Sequence, residues 1–384
     1  MTPSLLVVAG EASGDRAAAH VVQALRERLS FRAFGMGGAA SASAGVSLVA
    51  DLRETTALGV GAVVMHTAEI LAAAARILAG VRRERAKVAL LVNYSEFNSR
   101  LAPRLRAEGV HVVFYGAPQV WAWRPGRAKS LGKHIDEMAV MLPFEEAIWR
   151  AEGTDARYFG HPAQEGAALS REDAREKLGL TELAKTVAIL PGSRPHEVIA
   201  LLPVMLAAVD RLRRDRASID ARVLLAPSLD AKTLAFAKGL AQKIEIATFH
   251  VDAIRGAGHV LPAFDVALTA SGTATLEAAL ARAVPVVAYR VGLLTELVAR
   301  ALVRTHSFAL PNILIDRRAF PELVQRDASP EKLANALARA LDERRALLLA
   351  CDEVEARLGK GRTPSLDVAR MLLPWLEQAS ARHD

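Results

Sequence analysis

Two side chains that end one apolar run are placed to handle a proton. In KVALLVNYSEFNSRL (Lys87 to Leu101), Val88 to Val92 has the length and composition of a buried parallel strand, and Asn93 and Glu96 follow it. In open α/β sheets, ligands sit at the carboxyl ends of strands. A carboxylate there can act as a general base. An amide cannot accept a proton at neutral pH and can only bind or orient a hydroxyl. Glu96 is therefore a candidate base and Asn93 a candidate polar contact.

Three further turns carry groups of the same kind. In SGTATLEAAL, Ser271 is expected to cap a helix whose first free N–H groups, at Gly272 and Thr273, offer an anion site reinforced by the helix dipole. Glu277, four residues after Thr273, shares its face and could accept hydrogen bonds from a ribose diol. In LPGSRPHEV, Gly192 permits close backbone approach, Ser193 follows, and Arg194 offers a fork for phosphate. A cation beside a helix N-terminus is disfavoured unless an anion sits there. In GEASGD the sign is reversed: Glu11 and Asp15 would repel phosphate, so a hydroxyl-rich sugar fits that turn better, although either acid could instead cap the following helix. The segment PQVWAWRPGR sets Trp121 and Trp123 beside Arg124 and Arg127, as a sugar platform or as packing. No HExxH and no closely spaced histidines occur, so neither a protein-bound catalytic metal nor a cofactor is expected.

These turns need strands to position them, and the chain supplies strands alternating with helices. Strands are expected at Leu5 to Ala9, Arg32 to Gly35, Val88 to Val92, Val110 to Tyr115 and Glu137 to Met141. They are expected again at Val187 to Leu190, Arg222 to Ala226, Glu245 to Phe249, Val266 to Thr269 and Pro285 to Ala288. Such alternation implies an α/β fold of two doubly wound, Rossmann-like parallel-sheet domains facing each other across a cleft. The expected division is 1–165, 166–355, and a C-terminal helix in 356–384 that packs back on the first domain. Near the joint, Ser170 and Asp173 form a capping box for a helix ended by Gly179.

The 384 residues suit two domains, and 52% apolar residues fill both cores. A single cysteine, Cys351, excludes a disulfide framework and fits a reducing, cytoplasmic setting. The net charge of +7 favours anionic partners, while 5% aromatics and the absence of nucleic-acid motifs argue against nucleic acid. The stretch Ala57 to Val81 is nearly uncharged, but His66, Glu69 and Arg76 interrupt it. It is expected to touch lipid or acyl chains without spanning a bilayer.

In order, VAGEASGD, GMGG, PQVWAWRPGR, MLPFE, GHP, LPGSRPHEV, SGTATLEAAL, VVAYR, LPNILI and SPEKLANAL cover nearly the whole chain and resemble the lipid A disaccharide synthases, glycosyltransferases of the GT-B type. The resemblance implies transfer of diacylglucosamine from UDP-2,3-diacylglucosamine onto the 6-hydroxyl of 2,3-diacylglucosamine 1-phosphate at the inner face of the cytoplasmic membrane, with inversion and release of UDP. It implies that Arg194 and Ser271 to Thr273 meet the diphosphate, that Glu277 holds the ribose, and that Asn312 lies near the donor. Family members typically carry D-x-P-D-F-N after the strand at 88–92, the first aspartate being the proposed base, where this chain reads NYSEFN. Three readings stay open: Glu96 takes over, Glu11 does, or the chain binds a UDP-sugar without this transfer. Another UDP-sugar enzyme, such as a 2-epimerase, would use the same fold. Oligomeric state is not legible in the sequence.

Overall fold

Apolar runs too short for buried helices become the strands, and helices alternate with them along the chain. The computed structural model describes residues 2–52, 67–122, 126–216, 218–290 and 307–381. The chain divides into two compact units: one holds the chain up to Glu165 and again from Gly361, and the other begins at Gly166 and runs to Lys360.

In the first unit, β1 (Ser4–Ala9), β2 (Arg32–Gly37), β3 (Val46–Asp51), β4 (Val88–Val92), β5 (His111–Tyr115), β6 (Glu137–Val140) and β7 (Ala156–Tyr158) form a seven-stranded sheet of order β3-β2-β1-β4-β5-β6-β7. The pairs are parallel, with Ala9 opposite Val92. The central strands β1 and β4 are buried along their whole length, as expected of a sheet covered on both faces. The helices are α1 (Ala12–Arg26), α2 (Ala39–Ser43), α3 (Thr67–Glu84), α4 (Ser95–Ala107), α5 (Arg127–Gly132) and α6 (Glu145–Ala151). Leu6, Val8, Phe34, Leu91, Phe114 and Trp149 lie in its core.

The C-terminal helix Pro364–Ala381 packs on α1 within this unit. Glu165 accepts from the Ser365 backbone N–H and hydroxyl, each at 2.6 Å, which satisfies the helix start. At the other end Trp375 stacks on His111, 3.7 Å between ring centroids, and its indole N–H donates to Glu137 at 2.7 Å.

In the second unit, β8 (Lys185–Leu190), β9 (Ile219–Leu225), β10 (Ala247–His250), β11 (Val266–Ala270), β12 (Val284–Tyr289) and β13 (Glu322–Val324) form a six-stranded sheet of order β10-β9-β8-β11-β12-β13, again with parallel pairs. Its helices include α7 (Arg171–Leu178), α8 (Pro195–Asp215), α9 (Ala231–Gln242) and α10 (Thr273–Leu280). The Ser170 hydroxyl accepts from the Asp173 N–H at 3.0 Å, and Gly179 closes α7 at φ +60. Leu224, Leu261 and Phe264 mark the core.

Every strand expected from the sequence is present. β3, β7 and β13 were not expected. β7 and β13 are only three residues long, too short for a periodic signal, whereas β3 pairs only with β2 and several of its residues are half-buried or exposed.

Candidate functional site

Each sheet reverses its winding once, and the candidate residues gather at those two places. In the first unit the reversal lies between β1 and β4, where the turns after Ala9 and Val92 stand side by side. In the second it lies between β8 and β11, flanked by the turns after Leu190 and Ala270.

At the first reversal the backbone is unusual. Asn93 and Tyr94 both take positive φ, +50 and +45, before α4 begins. Asparagine tolerates the left-handed region better than most residues, which accounts for its use there. The Asn93 N–H donates to the Tyr115 carbonyl at 2.8 Å, and the buried Asn98 amide donates to the Asn93 carbonyl at 2.9 Å. Glycines make room for both side chains. A Cβ on Gly116 would fall 2.0 Å from Asn93 Oδ1, and one on Gly10 would fall 2.1 Å from the Tyr94 ring. Glu11 precedes α1 and makes no side-chain cap to that helix; it is half-buried, at the carboxyl end of the strand adjoining β4.

Asp15 is a different kind of acid. It is buried and accepts the N–H groups of Gly38, Ala40 and Ser41 at 2.7, 3.0 and 3.1 Å, so it caps α2 and is fully engaged inside the fold. Glu96 follows β4 as expected. It sits on the exposed first turn of α4, ion-paired with Arg127 and, at 4.0 Å, with Arg100.

At the second reversal, Arg194 is the residue before Pro195 in α8, and its guanidinium meets Glu197 at 3.2 Å. The Glu197 carboxylate also accepts the backbone N–H groups of Ser193 and Arg194, at 3.0 and 3.3 Å. Gly192, at φ +119, lies so close over it that a Cβ would come within 2.5 Å of the Glu197 carboxylate. The Ser228 hydroxyl, after β9, donates to the Ser193 carbonyl at 2.8 Å. Tyr289 ends β12; burial first, then the charge of Glu197, raise its hydroxyl above the usual value.

Two expectations need correction here. Ser271 does not cap α10: its hydroxyl donates to the Phe308 carbonyl at 2.9 Å, and Gly272, at φ +142, takes the cap position with no side-chain bond. Thr273 opens the helix, and Glu277 is buried within it. Asn312 is fully buried with its amide saturated internally. It donates to Phe320 O at 2.9 Å and Glu322 at 2.7 Å, and accepts from Ala319 and Phe320 N–H at 3.0 and 2.9 Å. No side-chain donor or acceptor is left for a ligand, so the side chain holds the loop.

The aromatic segment is anchored at Trp121, whose indole N–H donates to Glu145 at 2.9 Å and whose ring meets Phe144 edge-on at 5.1 Å. Glu145 also accepts from Met141 and Leu142 N–H, at 3.2 and 3.0 Å, yet burial pushes its carboxyl up to about 7. Trp123 and Arg124 lie outside the described residues, as do Ala57 to His66 of the apolar stretch. Among the described residues no helix is long and apolar enough to cross a membrane. No group of three or more His, Cys, Asp or Glu that could hold a metal occurs among them either.

Sequence reasoning missed Glu197, Glu145 and Ser228. Glu197 had a signal, an acid three residues into a helix, which reads as a capping box.

The fold matches solved sugar-nucleotide enzymes at low identity. A UDP-GlcNAc 2-epimerase from Neisseria meningitidis, bound to UDP-GlcNAc, superposes with a TM-score of 0.65 at 10% identity over 97% of this chain and 100% of its own. The spinosyn rhamnosyltransferase SpnG, complexed with thymidine diphosphate, gives 0.64 at 14% over 98% and 100%. These likenesses show the GT-B fold. Sequence goes further: the lipid-A-disaccharide synthase of Myxococcus xanthus is 40% identical over 368 residues, 93% of this chain and 94% of that one. The family model LpxB, lipid-A-disaccharide synthetase, matches residues 5–364. With that match spanning both sheets and both reversals, the chain belongs to the lipid-A-disaccharide synthase family of glycosyltransferases.

Proposed function

We propose that this chain transfers 2,3-diacylglucosamine from its UDP ester to the 6-hydroxyl of 2,3-diacylglucosamine 1-phosphate. The bond from the anomeric carbon to the UDP oxygen breaks, the new bond to O6 forms on the opposite face, and the hydroxyl proton passes to a carboxylate. The observation that carries this reading is the pairing, at one winding reversal, of Arg194 after β8 with the uncapped start of α10 after β11. A guanidinium and free helix N–H groups suit a leaving diphosphate. Glu277, four residues into the same helix, is assigned to the ribose. Gly192 and Ser193 shape the Arg194 turn, and Ser271, Gly272 and Thr273 shape the start of α10.

On the first unit we assign the general base to Glu11. It stands at the end of the strand adjoining β4, whereas Glu96 is held on an outer helix face by Arg127. Asn93 orients the acceptor hydroxyl without taking its proton. The exposed face of α3, with Leu71 54% exposed and Arg76, Arg82 and Arg83 along it, fits contact with the acyl chains and anionic headgroups of the inner membrane surface that holds both substrates.

The test supplies both diacylated substrates in detergent and measures UDP release and disaccharide together. Wild type is expected to form both in equal amounts. Glu11→Gln should lower turnover by about 10² to 10⁴, the range for loss of a general base, with UDP binding intact. Glu96→Gln should change little. Strong turnover in Glu11→Gln with its collapse in Glu96→Gln moves the base to Glu96. Wild type that binds UDP but makes no disaccharide, and remains silent as Asn93→Asp, refutes transfer.

A further inference from the structure

We infer that Glu197 is a positioning residue for diphosphate recognition: it sets the Arg194 guanidinium and acts on the ligand only through it. The inference rests on the reading that Arg194 meets the diphosphate. The turn Gly192 to Arg194 looks from its sequence like a phosphate-cradling loop at a helix start. In the structure its N–H groups already have an acceptor, because Ser193 and Arg194 both donate to one oxygen of Glu197. The other oxygen takes a guanidinium N–H of Arg194 at 3.2 Å. An internal carboxylate therefore occupies the place an anion takes at other helix starts, and it balances both the dipole of α8 and the charge of Arg194.

Three features make this a clamp and not a passing surface contact. The carboxylate side chain is only 14% exposed while Arg194 is 36% exposed, so the acid is covered and the base reaches solvent. Gly192 presses on it: the missing Cβ would meet Glu197 Oε2 at 2.5 Å and its Cβ at 2.6 Å. From the other side, the Ser228 hydroxyl fixes the Ser193 carbonyl at 2.8 Å. The turn is thus held from β9 and from α8, and Arg194 is the more exposed partner of the Arg194–Glu197 pair. A guanidinium is a rigid plane, so the contact of one terminal nitrogen with Glu197 narrows the orientations it samples and lowers the ordering cost of binding. Glutamine at 197 can still accept the two backbone N–H groups, but its amide nitrogen faces the guanidinium and cannot accept from it.

The experiment measures UDP binding by calorimetry and uridine binding by ligand-observed NMR for wild type, Glu197→Gln, Arg194→Ala and the double variant. Glu197→Gln is expected to weaken UDP about tenfold, the worth of one charge-assisted hydrogen bond, and to leave uridine unchanged, because uridine has no phosphate for Arg194 to meet. The double variant should bind UDP no more weakly than Arg194→Ala alone, since residues acting through one another are not additive. Equal losses for UDP and uridine would make Glu197 a merely structural residue and overturn the inference. So would a further loss in the double variant, unchanged UDP affinity, or tighter UDP binding, which would mark Glu197 as a competitor for Arg194. Wild type that fails to bind UDP refutes the donor-site reading itself. Wild type that binds, with Glu197→Gln unaffected, refutes only the positioning role.

Discussion

Lowering the pH from 7 to 5 pulls two buried groups of the first unit in opposite directions, and single substitutions should expose each pull. Burial, and then the charge of Arg16, depress the His161 imidazole from its ordinary 6.5 to about 3. Its Nδ1 accepts the Ala163 N–H at 3.0 Å, which requires the unprotonated ring. The folded value is the lower one, so the stability contributed is full above the unfolded value and is lost as the pH falls: the unfolded chain takes up a proton that the native chain refuses. Between pH 7 and pH 5 this amounts to a loss of ~2 kcal/mol. Glu145 has the opposite sign. Burial raises its carboxyl from 4.5 to about 7, so the native chain binds the proton first, and its contribution grows as pH falls through 7. Over the same interval the gain is ~2 kcal/mol.

In wild type the two nearly cancel. Relative to wild type, His161→Asn, which keeps an acceptor for the Ala163 N–H, should therefore gain ~2 kcal/mol on going from pH 7 to pH 5, and Glu145→Gln should lose about as much. Constant costs of either substitution drop out of this difference. The assay is urea unfolding followed by tryptophan fluorescence at both pH values. The described tryptophans, at 121, 149 and 375, belong to the first unit, so their signal reports on that unit. Variants whose stabilities run parallel to wild type between the two pH values would refute the assignment of these shifts to burial.

Two other outcomes follow from single contacts. Asn312→Leu should lower the stability of the second unit by about 3 kcal/mol, because it leaves the Ala319 and Phe320 N–H groups and the Glu322 carboxylate without their buried partner; hydrogen exchange at those two amides checks it. Gly116→Ala should reduce disaccharide formation at least about tenfold while UDP affinity holds. Its Cβ would fall 2.0 Å from Asn93 Oδ1 on the first unit, and φ is +85 there, whereas the turns proposed for the donor are on the second.

What was legible in the sequence is what local pattern encodes. Runs such as Leu5 to Ala9 and Val88 to Val92 are apolar on both faces because helices cover both, and the strand-turn-helix rhythm then gives the fold class. The edge strands β7 and β13 escaped because each has only three residues. The turns could be located, but the direction of each side chain could not. Asp15 reads as a site acid and is instead the cap of a helix that begins 24 residues later, a partner no local window contains. Asn312 reads as a ligand contact and is saturated by its own loop. Ser271 reads as a cap, but Gly272 extends at φ +142 and shifts the helix start by one residue. In each case hydrogen bonds made by the folded backbone decided between two readings that the residue types leave equal.

The same reasoning bears on why an amide at 93 leaves the fold intact. The position demands positive φ, a carbonyl bonded to Asn98, and a side chain small enough to lie over Gly116. Asparagine and aspartate meet those demands almost equally, since both tolerate the left-handed region and have the same shape. An exchange between them therefore changes charge and proton affinity at the end of β4 and little else. The conformational constraint and the chemical one separate at this residue: the backbone selects the pair Asn or Asp, and the reaction alone selects between them. A proton acceptor is then needed elsewhere on the same edge. The proposed base, Glu11, follows the neighbouring strand: Ala9 and Val92 are register partners, and the turn after each begins at the same level.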